Sequence, residues 1–384
     1  MHVAPVVLEG RHVRLEPLAP EHFAALHRHA DRRVFAHLLD WPADDGLDAF
    51  SAWISRSTAG TDRLPFAILL RDSGEAVGST CYLDIRAAHR ALEIGSTWIS
   101  PRHQGTQVNP ESKLLLLRYA FETLGTVRVQ LKTSSENTQS QRAIEKLGAV
   151  REGVLRSYQT RQNGQARDTV IYSVIAAEWP RVKARLQRRL GLSGRDVLEE
   201  ILSAHSPADE KERSDLASMR EHARSLEDPF SRSQPPAHFT ASAVVVSADG
   251  EQVCLIHHAK LGRWLQPGGH ADPADDGVLE SAVLREVTEE TGLDVVFDPT
   301  APRPLDVDVH SIPERRDERA HHHLDVRYLV RAKNASALRH DPNESFGARW
   351  LTWEEALALA DEPALTRLLL KARWFALAKR PATE

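Results

Sequence analysis

The chain has very little cysteine, no strong excess of charge of either sign and no long apolar run. Only Cys81 and Cys254 occur in 384 residues, both in apolar, strand-like segments, so a disulfide scaffold is excluded and a reducing, cytoplasmic setting is expected. No run of about 18 apolar residues occurs and Met1–Leu18 has no signal-peptide pattern, so we expect no membrane partner and no secretion. A net charge of −5 gives no support to general nucleic-acid binding, which needs clustered Lys and Arg.

The length of the chain and the position of its glycines indicate two domains. A chain of 384 residues exceeds the usual size of one domain, and an apolar fraction of 41% is enough for two cores. Strand-like and helix-like segments alternate on both sides of Gly191–Gly194, a stretch that interrupts helical periodicity. We therefore predict α/β domains over residues 1–190 and 195–384, each folding independently, with a helical extension at Asp196–Leu226 opening the second.

The most informative segment is residues 285–293, which read Arg-Glu-Val-Thr-Glu-Glu-Thr-Gly-Leu. Glu286, Glu289 and Glu290 are spaced i, i+3 and i+4, so a helix places the three carboxylates on one face. Like charges this close repel each other, and a bound divalent cation removes the repulsion. Because oxygen-rich sites suit hard cations, the spacing indicates a site for Mg²⁺ or Mn²⁺, with a solvated acidic helix face as the alternative.

Together with the glycine pair upstream, this segment resembles the Nudix box, G-x5-E-x7-R-E-U-x-E-E-x-G-U, where U is aliphatic. The R-E-U-x-E-E-x-G-U half is matched in full. In the first half Gly277 occupies the position of the family's Glu, and Gly269 lies two residues further upstream than the spacing requires. A two-residue insertion in the loop Ala271–Gly277 explains both departures. Three carboxylates are candidates to replace the missing Glu: Asp275, Asp276 and Glu280.

The Nudix resemblance implies an α/β/α sandwich and a metal-dependent hydrolase. Its substrate would be a small nucleotide-type molecule linked through a nucleoside diphosphate, and water activated by the metal would be the nucleophile. The implied catalytic residues are Glu286, Glu289 and Glu290. The implied metal ligands are these carboxylates, the carbonyl of Gly269, and Glu344 from a later loop.

A run of three histidines, His321–His323, precedes a predicted strand in the same half. Alternation on a strand directs His321 and His323 to one face and His322 to the other. His270 and His310 are candidates to lie nearby in the folded chain. Neutral imidazoles bind metal ions or phosphates, and ordinary polar packing is the alternative.

The first half contains a strand, a loop and a helix in succession at Leu92–Tyr119. The loop, Ser100–Pro110, opens a helix, so its free backbone amides can hold phosphates. Further on come Asn137-Thr138-Gln139-Ser140 and Glu145-Lys146-Leu147-Gly148-Ala149. In order and spacing, these motifs and the opening Leu8–Leu15 resemble the GNAT acetyltransferases over residues 6–180, in particular the branch of ribosomal-protein N-terminal acetyltransferases.

The GNAT resemblance implies a mixed sheet flanked by helices, acetyl-CoA as cofactor and an amine as the acetyl acceptor. In the family's loop pattern, Q/R-x-x-G-x-G/A, Gln107 replaces the central glycine, where a side chain is expected to crowd the pyrophosphate or demand an unfavourable backbone angle. Glu93, expected at the end of a strand beside the loop Ser100–Pro110, is the implied base for the amine, and Ser140 the implied acid for the CoA thiolate. The implied cofactor contacts are Gln104, Gly105, Thr106, Gln107, Val108, Asn109, Asn137 and Ser140.

Two functions are compatible with these motifs. The first is a bifunctional enzyme, an acetyl-CoA-dependent N-acetyltransferase fused to a metal-dependent Nudix hydrolase. The second keeps the hydrolase but makes the GNAT-like half a non-catalytic module for acyl-CoA sensing or docking, which Gln107 favours. Under the second interpretation Glu93 forms an ordinary strand-end ion pair and Ser140 is a helix cap.

Overall fold

The chain forms two compact units, Met1–Gly191 and Leu192–Glu384. The computed structural model describes residues 1–232, 236–271, 275, 278–314, 319–334, 337–340, 342 and 345–378. Both units combine a sheet with helices, as the alternating pattern predicts. Among the described residues, no helix combines the length and the apolar character that a bilayer crossing needs.

The first unit is built on one mixed sheet. Its strands are β1 (Leu8–Glu9), β2 (Val13–Pro17), β3 (Leu64–Leu70), β4 (Ala76–Arg86), β5 (Ala91–Ile99), β6 (Arg128–Ser134), β7 (Val150–Thr160) and β8 (Ala166–Ile175). Its helices are α1 (Phe23–His27), α2 (Arg32–Phe35), α3 (Leu47–Thr58), α4 (Val108–Arg118), α5 (Thr138–Leu147) and α6 (Trp179–Arg189). The strand order is β1-β2-β3-β4-β5-β6-β8-β7, and β5–β6 is the parallel pair, so the predicted mixed sheet is confirmed.

The parallel strands β5 and β6 separate part-way along their length. Their paired register runs from Ala91 opposite Arg128 to Ile94 opposite Leu131, whereas β5 continues to Ile99 and β6 to Ser134. Throughout residues 1–191, all of which are described, no other strand fills this gap. Beyond Ile94 and Leu131, the backbone N–H and C=O groups of the two strands are therefore not used in pairing β5 with β6.

The second unit has a sheet between two layers of helices. Its strands are β9 (Ala237–Val246), β10 (Gln252–His258), β11 (Arg263–Leu265), β12 (Gly268–His270), β13 (Val295–Phe297), β14 (Asp306–Ile312), β15 (His321–Ala332) and β16 (Ser345–Thr352). Its helices are α7 (Gly194–Ala204), α8 (Glu210–Ser225), α9 (Leu279–Thr291), α10 (Trp353–Leu359) and α11 (Pro363–Leu377). The path β11-β10-β9-β15-β13 runs across the sheet, with β12 beside β9, β14 beside β15 and β16 beside β10.

Alternation along β9 explains the two layers. Phe239 and Ala241 belong to a core formed with α7, α8 and α9, whereas Val244 and Val246 belong to a second core formed with α10 and α11. Successive side chains on a strand point to opposite faces, so one strand supplies both cores. The predicted α/β/α sandwich is confirmed.

The helical extension predicted over Asp196–Leu226 is present and consists of two helices. They are α7 and α8, separated between Ala204 and Glu210. Pro207 lies in the separation, and the Asp209 side chain accepts a hydrogen bond from the Glu212 amide at 2.7 Å. Proline removes a backbone donor and Asp209 caps a new helix, so both residues favour a break over continuous helix.

Candidate functional sites

Helix α9 carries the three carboxylates predicted to bind metal. Its apolar side, including Val283 and Val287, is completely buried in the core. Glu286 and Glu290 lie at the edge of this buried side, with 9% and 6% exposure, whereas the Glu289 side chain is 58% exposed. The helix ends at Gly292, which has a φ of 69°, a left-handed conformation that glycine adopts without strain. Burial of two carboxylates on one face requires compensating partners.

The short strand β12 supplies part of that compensation. The Gly268 amide donates a hydrogen bond to Glu290 Oε2 at 2.8 Å. A Cβ atom at Gly269 would lie 2.6 Å from Cδ of Glu286, so a larger residue there would displace this carboxylate from its present position. The glycine pair of β12 therefore packs directly against the carboxylate face of α9.

Arg285 connects the carboxylates to the preceding loop. Its Nη1 donates to Glu286 at 3.1 Å and to Glu289 at 2.9 Å, and its Nη2 donates to the His270 carbonyl at 2.9 Å. Asp275 accepts from Nη2 at 2.8 Å and from Nε at 3.2 Å. The hydrogen bond to Asp275 is the largest cause that raises the pKa of Arg285 well above its ordinary value.

Asp275 is the candidate replacement for the missing Nudix-box glutamate that contacts Arg285. It is 5% exposed, so the ion pair is shielded from solvent. Glu280 is buried in the first turn of α9, and Asp276 lies outside the described residues. A carboxylate that orients Arg285 is therefore present despite Gly277.

The donor chemistry of the carboxylate face fits a hard divalent cation, because carboxylate oxygens are the ligands such ions prefer. In this structure, however, Glu286 and Glu289 both accept hydrogen bonds from Arg285, and Glu290 accepts one from the Gly268 amide. The oxygens of the three carboxylates therefore do not converge on one point. Within the described ranges, one set of three potential ligands has all its ligand atoms within 4.8 Å of one another, and it consists of His238, His270 and His323. Glu344 lies outside the described residues. The carboxylates and Gly269 as metal ligands therefore stay a prediction.

A large cleft in the first unit brings together most of the residues predicted to contact acetyl-CoA. Its volume is about 1370 Å³, and it extends along the gap between β5 and β6. Six predicted cofactor contacts line it, namely Gln104, Gly105, Thr106, Asn109, Asn137 and Ser140. Gln107 and Val108 are not part of its wall, since Gln107 is exposed to solvent and Val108 is buried.

The backbone of the loop corrects one expectation. Gln107 has φ −70° and ψ −15°, an ordinary helical conformation, so the unfavourable angle expected there is wrong. The left-handed residue of the loop is Gly105, with φ 77°. Crowding of a pyrophosphate by the Gln107 side chain stays a prediction.

Asn137, not Ser140, caps helix α5. The Asn137 side chain accepts a hydrogen bond from the Ser140 amide at 3.0 Å, which is the usual geometry of an N-cap residue. The interpretation of Ser140 as the helix cap is therefore wrong. Ser140 lies one turn into α5, in the wall of the cleft.

Glu93 lies at the bottom of the cleft. It is the third residue of β5, next to Ile94 where the strands part, and therefore far along the strand from the loop Ser100–Pro110 beside which we expected it. Its side chain is 1% exposed, and Oε2 accepts from Lys132 at 2.9 Å and Gln130 at 3.1 Å. Within the fully described first unit, Oε1 is buried and makes no hydrogen bond. A buried carboxylate with one oxygen held and one unused is suited to accept a proton.

Comparison with known proteins decides the family of each half. An acetyltransferase (GNAT) domain model matches residues 12–150, and a NUDIX domain model matches residues 236–371. The chain is a GNAT–NUDIX fusion. The GNAT domain contains the cleft and Glu93, and the NUDIX domain contains the carboxylate face and the histidines.

Individual relatives resemble one domain or the other. The uncharacterized N-acetyltransferase YoaA of Bacillus subtilis is 34% identical over 105 residues, covering 27% of this chain and 58% of that protein. The probable DHNTP pyrophosphohydrolase of Lactococcus lactis is 32% identical over 105 residues, covering 27% and 59%. The putative acetyltransferase of T. thermophilus has a solved structure with 44% identity and a TM-score of 0.47, covering 50% of this chain and 100% of that chain. The chain thus spans less than two thirds of the curated relatives named here.

The NUDIX domain also gathers five histidines on one face of its sheet. His238 and His323 are opposite each other on β9 and β15, with ring centroids 4.9 Å apart. His270, His310 and His321 surround His323 with centroid distances of 5.0, 5.3 and 5.1 Å. Burial lowers the pKa of His270 to about 3 and that of His323 to about 2, so both rings are neutral near pH 7.

The sequence-based prediction missed His238 and Lys113, among other residues of these sites. The signal of His238 was present, because His238, Thr240 and Ser242 alternate with apolar residues along β9. Lys113 lies in α4 directly before Leu114–Leu117, where a charged residue within a buried segment requires polar partners.

Lys113 lines the GNAT cleft and is only 5% exposed. Its Nζ donates to the hydroxyl groups of Thr97 at 2.7 Å and Thr80 at 3.4 Å. Burial lowers its pKa from 10.5 to about 7. Lys113 therefore supplies the GNAT cleft with an amine that titrates near neutral pH.

The pH dependence of stability tests this environment. Between the folded and unfolded pKa values of Lys113 the unfolded chain binds more protons, so the free energy of unfolding rises as pH increases. We expect this lysine to contribute a rise of about 2 kcal/mol from about pH 7 to about pH 9, and Lys113→Met to lose it. Urea unfolding of both proteins at the two pH values measures the difference. Equal pH dependence would contradict the buried position.

Proposed function

We propose that the chain is a bifunctional enzyme. The GNAT domain would transfer an acetyl group from acetyl-CoA to an amine, and the NUDIX domain would cleave a nucleoside-diphosphate-linked substrate with the help of Mg²⁺ or Mn²⁺. The observation that carries the proposal is the buried pair Glu286 and Glu290 held against the glycines of β12. The two carboxylates lie one helical turn apart, and a divalent cation bound beside them would add to the neutralisation that Arg285 gives Glu286.

In the hydrolase reaction, Glu286, Glu289 and Glu290 would hold the cation, with Gly269 and Glu344 as further candidates. When bound, a divalent cation offsets the charge of the diphosphate and makes a water molecule more acidic. The chain's own contribution is positional. The Gly268 amide fixes Glu290, and Asp275 fixes Arg285 between Glu286 and Glu289.

In the transfer reaction, Glu93 and Ser140 would move protons within the cleft. The amine nitrogen forms a bond to the acetyl carbon, the carbon–sulfur bond breaks, and the amine loses a proton. Glu93 Oε1 would accept that proton, and the Ser140 hydroxyl would donate one to the leaving sulfur. Lys132 and Gln130 hold Glu93 Oε2, which orients Oε1.

The ion pair between Glu93 and Lys132 also supports a second function for the GNAT domain. Lys132 already balances the charge of Glu93, which is what an ordinary structural carboxylate requires. Under this interpretation the cleft binds acyl-CoA without transferring the acyl group, and the domain senses or docks. The hydrolase assignment is the same in both cases.

An activity screen of the full-length chain tests the proposal. The hydrolase assay uses a panel of nucleoside-diphosphate derivatives with Mg²⁺ or Mn²⁺, including DHNTP because a relative is named for it. The transferase assay uses acetyl-CoA with peptides, polyamines and amine-bearing nucleotides. We expect metal-dependent cleavage in the first and release of free CoA in the second. Acetyl-CoA binding without release of CoA would favour the sensing module.

Asp275 gives a specific prediction for the hydrolase. Asp275→Asn removes a negative charge that fixes Arg285 from the loop side, so the guanidinium would pair more closely with Glu286 and Glu289 and compete with the cation for those carboxylates. We expect the rate of metal-dependent hydrolysis to fall by about 10- to 100-fold, the usual effect of losing an outer-shell partner. Asp294→Asn, which removes an exposed carboxylate paired with Lys333, is the control and should keep its rate. Unchanged hydrolysis by Asp275→Asn would exclude Asp275 as the replacement for the missing glutamate.

A further inference from the structure

The register of three strands converges on His323. On β15 it lies opposite His238 of the parallel strand β9 and opposite His310 of the antiparallel strand β14. His270 on β12 lies opposite Thr240, two residues along β9 from His238, and therefore on the same face. Residues from separate strands thus meet at one point, which a single sequence motif does not reveal.

The spacing of the imidazole nitrogens is close to that of metal ligands. The ligand atoms of His238, His270 and His323 all lie within 4.8 Å of one another. Three nitrogens bound tetrahedrally at the usual zinc–nitrogen distance lie about 3.4 Å apart. Rotation of the three imidazole side chains toward one another would close this difference.

Burial makes this group unusual for ordinary polar packing. His238 is fully buried, and Nε2 of His323 is buried and makes no hydrogen bond to any residue that the structure describes. A buried nitrogen without a hydrogen bond costs about 1–3 kcal/mol, which coordination to a metal ion would offset.

Two flanking histidines have the outer hydrogen bonds typical of metal ligands. His321 Nδ1 lies 2.8 Å from the Arg319 carbonyl, which can only accept, so in the neutral ring Nδ1 carries the hydrogen and Nε2 the lone pair. His310 Nδ1 lies 3.1 Å from the carboxylate of Asp308, with the same consequence. Such carbonyl and carboxylate partners orient imidazoles that bind metals.

We propose that His238, His270 and His323 bind one divalent transition-metal ion, of the zinc class, at a site separate from the carboxylate face. His321 and His310 are positioned to complete its coordination. Neutral imidazole nitrogens prefer Zn²⁺, Co²⁺ or Ni²⁺, whereas Mg²⁺ prefers oxygen, so the two sites select different metals.

The two sites lie on opposite sides of β12. Gly269 adjoins Glu286 on one side, and the next residue, His270, directs its ring to the other. Arg285 donates to the His270 carbonyl at 2.9 Å. An ion held by His270 therefore fixes the strand that supports the carboxylate face, and it stabilises the domain by tying β9, β12 and β15 together.

Metal titration of the full-length chain, after removal of metals with a chelator, tests this site without reference to activity. We expect one equivalent of Zn²⁺ to bind in calorimetry, Co²⁺ to give the visible absorption of a nitrogen-bound ion, and excess Mg²⁺ not to compete. Zn²⁺ should also raise the unfolding temperature, because it binds the folded state alone. His323→Gln and His270→Gln should each weaken Zn²⁺ binding by at least about 10-fold.

His322→Gln is the matched control, since His322 is exposed on the opposite face of the same strand. It should bind Zn²⁺ as the wild-type chain does, and so should Glu290→Gln. Circular dichroism verifies that the variants are folded. If one of His323→Gln and His270→Gln does not fold, the other alone still tests the site. The proposal is overturned if the wild-type chain takes up no stoichiometric Zn²⁺, or if a folded variant of the triad binds it unchanged. Loss of Zn²⁺ binding in Glu290→Gln would also overturn it, because the ion would then occupy the carboxylate face.

Discussion

Glu290→Gln is expected to lower the rate of metal-dependent diphosphate hydrolysis by at least about 100-fold, the scale of losing one metal ligand or transition-state stabiliser. The substitution keeps the shape of the side chain, and the glutamine oxygen can still accept the hydrogen bond from the Gly268 amide, now 2.8 Å from Oε2. Only the negative charge is lost. The metal-free fold should survive, because repulsion between positions 286 and 290 decreases.

The control for this prediction is Glu354→Gln, an exposed carboxylate of the same domain that pairs with Arg373. It should leave hydrolysis unchanged. Glu286→Gln, at the other buried carboxylate, should behave as Glu290→Gln does. Near-normal turnover by both buried variants, on a substrate that the wild-type chain cleaves, would rule out the carboxylate face as the catalytic centre.

Glu93→Gln is expected to lower acetyl transfer by about 100- to 10,000-fold, the range that general base catalysis contributes. Glutamine fills the same buried space and can still bond Gln130 and Lys132, but it cannot accept a proton from the amine. Acetyl-CoA binding, measured by calorimetry, should be nearly unchanged. The loss should therefore appear in kcat and in the pH–rate profile, which a purely structural carboxylate would not affect in this way.

Glu152→Gln is the matched control in the GNAT domain, because Glu152 also pairs with a cation of β6, Arg128. Its transfer rate should remain close to that of the wild-type chain. If Glu93→Gln transfers acetyl groups at the wild-type rate, Glu93 is an ordinary ion pair with Lys132. If the wild-type chain binds acetyl-CoA but transfers nothing, the GNAT domain is a sensing or docking module.

The elements of the fold that sequence predicts best are those with local signals. The apolar periodicity that begins at Pro363 predicts a helix to Leu377, and α11 has these bounds. Proline fits the first turn of a helix, and the buried Leu365, Leu368 and Leu369 follow helical spacing. Short strands such as β12 and β13 have no comparable signal, because pairing with distant strands determines them.

The candidate sites likewise contain parts that a local sequence signal predicts and parts that depend on contacts between distant segments. Helical spacing alone places Glu286, Glu289 and Glu290 on one face, so their arrangement is predictable from a few residues. The contact of Arg285 with Asp275 depends on the path of an atypical loop, which left three carboxylates as alternatives. The approach of His238 to His323 depends on the register of a parallel strand pair, which no local pattern encodes.

The proposal that two activities share one chain is tested most directly by assaying four full-length proteins for both reactions. These are the wild type, Glu93→Gln, Glu290→Gln and the double variant. The account predicts that Glu93→Gln loses acetyl transfer alone, Glu290→Gln loses diphosphate hydrolysis alone, and the double variant loses both. A wild-type chain that shows only one of the two reactions, or a single variant that keeps the reaction assigned to its substituted residue, would contradict it.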